Sequence, residues 1–140
     1  MAIEYTLQVC TAAGPEAIGR LLELPAVEWH PPVLAFKSAT GLLVTVRVDG
    51  RADFVLTEPE IDVGFRLDKF ADFQAQNLQI ARAVVAVLAA EPGDAVLQQG
   101  FERILLLRRG SQLVVSDAFW APELLPWPFE RRATMPYPED

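Results

Sequence analysis

Apolar and polar residues alternate strictly at the start of the chain. Ile3, Tyr5, Leu7 and Val9 fall on one side of an extended segment, and Glu4, Thr6 and Gln8 on the other. A period of two marks a strand buried on one face. Over residues 14–24 the spacing turns helical through Ile18, Leu21 and Leu22. Pro15 stands where a first helical turn tolerates it, and Glu16 lies near the positive end of the helix dipole. This predicts a short amphipathic helix, weakened at Gly19. Pro25, Pro31 and Pro32 bound a connector or an edge strand, because proline cannot donate to a ladder. The runs VLAFKS, LLVTVRV and ADFVLTE follow as short strands. Asp49-Gly50 between the last two suits a tight hairpin, since both residues tolerate positive φ.

After Pro59 the segment IDVGFRL alternates again, with Val63, Phe65 and Leu67 on one face and Asp62, Gly64, Arg66 and Asp68 on the other. From about Ala71 the period becomes helical. Phe73, Asn77, Ile80, Ala81, Val84, Val85 and Leu88 make the stripe of a long helix that ends at EPGD, and Gln74, Gln76, Asn77 and Gln79 leave its first turns more polar. Asp68 or Asp72 is placed to cap that helix. DAVLQQ, ERILLLRR and QLVVSD return to extended structure, with Gly110-Ser111 marking a second hairpin. Hairpin-sized connections imply mostly antiparallel pairing. The fold class is therefore α+β: a two-layer sandwich with a curved, mostly antiparallel sheet and both helices, one short and one long, on a single face. Residues 1–130 form one domain, and the proline-rich residues 131–140 read as a loosely held tail.

Composition narrows the function. A chain of 140 residues with 51% hydrophobic content has enough apolar surface for one core. Its net charge of −7 has the wrong sign for neutralising phosphates, so nucleic-acid binding is disfavoured and a basic partner is favoured. The longest apolar run, AVVAVLAA, is far below the roughly 20 residues needed to cross a bilayer, and MAIEYTLQVC does not read as a secretory signal. No membrane association is expected. A single cysteine, Cys10, agrees with a reducing compartment, and the expected location is cytoplasmic.

Catalytic signatures are sparse. His30 is the one histidine and sits in a proline-flanked connector. There is no phosphate-binding glycine loop, nucleophile elbow or paired-histidine metal motif. No enzyme activity, cofactor or metal is therefore expected. Glu58, Glu60 and Asp62 at spacing two would project from one face of a continuous strand, either as a functional acidic patch or as a solvated edge interrupted by Pro59. Arg108 and Arg109 beside a hairpin turn read as solvated charge. Phe119, Trp120, Trp127 and Phe129, stiffened by Pro122, Pro126 and Pro128, suit either an interface or a cover for the core and sheet edge.

The segments MAIEYTL, FRLDKF, RAVVAVL, PGDAVL, LLRRGSQLVV and FWAPELL together resemble a bacterial family of small immunity proteins. These are associated with the swarming-inhibition (Sit) lipoprotein toxins of myxobacteria. The resemblance covers the first strand and the C-terminal half. It implies a cytoplasmic antitoxin that binds and blocks a cognate protein toxin delivered by a neighbouring cell, and it brings no catalytic residues. On that reading the expected interface is Glu58, Glu60 and Asp62 together with Trp120 and Trp127. Two other readings remain: a small-molecule carrier with a pocket between sheet and long helix, and a carboxylate enzyme using Glu58, Glu60 or Asp62. The toxin's identity and the oligomeric state are not set by these residues.

Overall fold

A computed structural model describes residues 3–24, 26–30, 33–48, 61–100, 102–133 and 135, with the side chains of 26–30 excepted. The strands are β1 (Glu4–Val9), β2 (Ala26–His30), β3 (Val33–Lys37), β4 (Leu43–Val48), β5 (Ile61–Arg66), β6 (Ala95–Gln99), β7 (Arg103–Arg109), β8 (Gln112–Ser116) and β9 (Glu130–Arg132). The helices are α1 (Pro15–Leu21) and α2 (Phe73–Ala90), and Pro122–Leu124 forms a 3-10 turn. The strands make one open sheet in the order β2-β3-β4-β5-β1-β6-β7-β8-β9. All described pairings are antiparallel except β8 with β9. The expected α+β sandwich is thus present, with β1 near its centre and the proline-bounded β2 at an edge. The Asp49-Gly50 hairpin and the ADFVLTE strand lie outside the described residues.

Alternation decides which side chains meet the helices. Leu7, Val9, Val44, Val46, Val63 and Phe65 are all but completely buried in a core closed by Ile80, Val84 and Val87 of α2 and Ile18 of α1. A second, smaller cluster on the opposite face joins Val96, Ile104, Leu107 and Val114 to Met135. Val96, Leu107 and Val114 share one row, and Ile104 joins them because the register of β6 against β7 shifts between Leu97 and Gln98, which pair with Leu106 and Ile104. Leu105 is the extra residue of that bulge. An otherwise continuous Ile-Leu-Leu-Leu run thereby serves both faces, with Leu105 and Leu106 in the main core and Ile104 and Leu107 in the second.

Two expectations are corrected. The tail does not begin at residue 131: Glu130–Arg132 pair in parallel with Val114–Ser116, and Met135 is buried. The stripe of α2 also shifts, since Phe73 is 39% exposed while Gln76 is fully buried. Polar Gln76 is inside because its amide pairs with both backbone groups of Asp68, accepting the N–H at 2.7 Å and donating to the carbonyl at 3.0 Å. Asp72 is the residue that caps α2, accepting the Gln74 N–H at 2.9 Å. Gly19 is no mere weakness in α1, because a Cβ there would meet Phe36 of β3 at 2.7 Å.

Candidate functional site

The sheet registers place the expected site residues. Arg47, Asp62 and Gln8 form one row across β4, β5 and β1; Thr45, Gly64 and Thr6 form the next, and Leu43, Arg66 and Glu4 the third. This face is turned away from the helices. Asp62 is 4% exposed, and a half-exposed Arg47 approaches its carboxylate at 3.4 Å. Beside it Gln98 donates to Gln8 at 3.3 Å, both side chains buried. Gly64 leaves the centre of the grid without a side chain. A shallow polar cleft of about 290 Å³ opens there, flanked by Arg47, Arg66, Glu4 and the two threonines. Glu58 and Glu60 lie outside the described residues.

Trp120 and Trp127 belong to the other face. The Trp120 indole N–H donates to the Asn77 carbonyl of α2 at 2.8 Å, and its ring lies 5.1 Å from Tyr5 and 5.2 Å from Phe119. Burial raises the Tyr5 phenol above its ordinary pKa, an effect that Arg103 opposes. Trp127 is partly buried against the same core. Asp62 and the two tryptophans therefore stand on opposite faces of the sheet and do not form one patch.

A second cleft of about 550 Å³ runs between α1 and α2, lined by Leu21, Leu24, Leu78, Gln79 and Arg82 above Leu42 and Val44. Its rim is fixed by Gln79, whose side-chain oxygen accepts the Ser38 and Thr40 hydroxyls of the β3–β4 turn. Deeper in the layer Ile80, Val84 and Val87 of α2 are fully buried against the sheet. Among the described residues, no three histidine, cysteine or acidic side chains are grouped to hold a metal. No described helix is long and apolar enough to cross a membrane.

Arg108 is a structural side chain that sequence reasoning misplaced. It does not lie solvated beside its hairpin turn. Its guanidinium donates to the Leu88 carbonyl at 2.8 Å, to Gly93 at 2.7 and 3.0 Å, and to Glu91, closing the C-terminal end of α2. Burial lowers its pKa, while Asp94 works in the opposite direction. The only hint in the sequence was a helix with no basic residue in its last turn.

Among the described residues the clefts hold no group of metal-ligating side chains, and the family comparison carries more. The SitI3-like family model matches residues 3–124. The chain belongs to the SitI3-like family of Sit immunity proteins. No curated protein and no solved structure matches it significantly. The match spans the central sheet and both helices, including residues 25–60, where the resemblance had rested on pattern alone.

Proposed function

We propose that this SitI3-like protein is a cytoplasmic immunity protein that binds and neutralises a cognate toxin delivered by neighbouring bacteria. The family match over residues 3–124 carries this reading. A net charge of −7 suits attraction of a basic toxin domain, and inhibition by occlusion needs a stable surface rather than a reactive group. The helical side, where Trp120 and Trp127 flank α2, is the side we assign to contact. Glu58, Glu60 and Asp62 are assigned to long-range attraction, since Asp62 faces away from those tryptophans.

The test is co-expression with the toxin that this reading expects to be encoded beside this gene. Rescue of growth together with co-purification is the expected result. Growth arrest despite soluble expression, with no complex recovered, would overturn the immunity reading. The small-molecule alternative has a weaker basis, because the cleft between α1 and α2 is open to solvent, whereas ligand pockets bury most of their occupant.

A further inference from the structure

We propose that the segment following the 3-10 turn is a clasp that keeps the β8 edge of the sheet from adding a strand, and that the strand it excludes is β8 of a second copy of this chain. The segment crosses from one face of the sheet to the other. Leu125 and Trp127 pack against the main core, Glu130–Arg132 run along β8 at the rim, and Met135 is buried on the outer face with Val96, Ile104, Leu107 and Val114. Among the described residues, Met135 is the one buried member of that outer cluster that comes from outside β6, β7 and β8. The two rims of the sheet differ in their protection. β2 is flanked in sequence by Pro25, Pro31 and Pro32, which cannot donate to an added strand. β8 reads Gln-Leu-Val-Val-Ser, with no charge, no proline and an unbroken register against β7. Left bare, such an edge is a template for pairing. β9 covers it with Glu, Arg and Arg, charged side chains of the kind that blunt an edge. Covering an edge accounts for a three-residue strand that has no apolar pattern of its own.

The symmetry of β8 identifies the excluded strand. A two-fold axis at Val114 sets Leu113 opposite Val115 on the inner face, Val114 opposite its own copy on the outer face, and Gln112 opposite Ser116 at the ends. Apolar side chains then meet on both faces, and no like charges face each other. The same axis brings the two outer clusters side by side, which replaces the cover that Met135 gives each of them. The net charge of −7 on each copy opposes approach, yet it is screened beyond about 8 Å at physiological salt, and β8 contributes none of it. The closed clasp is lightly held at the rim. Arg131 lies 3.9 Å from Asp117 with both side chains more than half exposed, a kind of pair that contributes little. Gln112 donates to Glu130 at 3.3 Å, and the Asp117 N–H to the Arg132 carbonyl at 3.1 Å. Beyond β9, Met135 is the described apolar anchor.

The test uses the full-length protein and replaces that anchor. In Met135→Asp the β8 amides are expected to exchange roughly tenfold faster or more in dilute solution, because opening the clasp uncovers them. Sedimentation over a concentration series should then show a dimer, in which the protection of those amides returns. Wild type and Met135→Leu are expected to stay monomeric with β8 protected throughout. Met135→Ala, which leaves space rather than a buried charge, is read in the same way where the aspartate prevents folding. Unchanged β8 protection in Met135→Asp and Met135→Ala overturns the clasp. Faster β8 exchange in a protein that stays monomeric at every concentration overturns the second copy as the excluded partner, and so does a dimer whose β8 amides remain unprotected. A dimer of the wild-type protein would show that the closed clasp excludes nothing.

Discussion

Gln76 shows how one side chain can contradict the pattern it sits in. By period it belongs among the polar first turns of α2, yet it is fully buried because it replaces water for both backbone groups of Asp68. Gln76→Leu keeps the volume and removes both partners. It is expected to cost about 2–3 kcal/mol in chemical denaturation, the penalty for stranding buried backbone groups. Asp72→Ala should cost about 1 kcal/mol through loss of the cap, and Asp68 retains its role in the turn. Arg108 makes the complementary case at the other end of the helix. Arg108→Lys is expected to recover little of the stability lost in Arg108→Ala, because a single ammonium cannot match a planar fork that reaches the carbonyls of Leu88, Glu91 and Gly93. Thermal unfolding of the two variants provides the check. Neither role was legible in the sequence, since Gln76 depends on how the β5–α2 connection folds back and Arg108 on carbonyls that the sheet brings close.

Strands and helices were the legible scale. The alternation in β1, β4 and β5 gave both their existence and their inward faces, because one buried face fixes the register. What escaped was structure created by pairing: the bulge that divides Ile104–Leu107 between two cores, and β9, whose three residues have no pattern of their own. Glu130 of β9 is exposed and hydrogen-bonded to Arg132, chiefly for which its pKa lies below the ordinary 4.5. A lowered folded-state value stabilises above the unfolded pKa and is lost as pH falls through the folded one. Protection of the Asp117 amide against exchange, relative to its intrinsic rate, should therefore fall as pH drops below about 4.5, since its N–H donates to the Arg132 carbonyl, and Glu130→Gln should flatten that dependence. The α2–β6 connection offers a sharper steric test. A Cβ on Gly93 would stand 1.9 Å from the Cys10 carbonyl oxygen, so Gly93→Ala must displace backbone rather than a side chain and should cost about 1–3 kcal/mol or more. An unchanged denaturation midpoint would refute that packing.

At the scale of the whole molecule, the sequence carried charge and fold class but no address for the function. An occluding surface needs no local signature, so the immunity reading arose from family likeness, and the candidate patch divided once the registers put Asp62 and Trp120 on opposite faces. That division separates two physical contributions. Long-range attraction depends on the total of −7 and is screened over about 8–10 Å at physiological salt, whereas apolar contact of the kind assigned to Trp120 and Trp127 is nearly indifferent to salt. Raising ionic strength should therefore slow association with a basic toxin domain while leaving dissociation almost unchanged. A contact variant should show the converse. Trp127→Ala is expected to accelerate dissociation and keep the wild-type salt slope of the association rate, because it removes contact and no charge. Stopped-flow association at two salt concentrations, paired with dissociation rates, resolves the two. A salt-independent association rate would show that the acidic excess has no part in recognition, and an unchanged dissociation rate in Trp127→Ala would place the contact elsewhere.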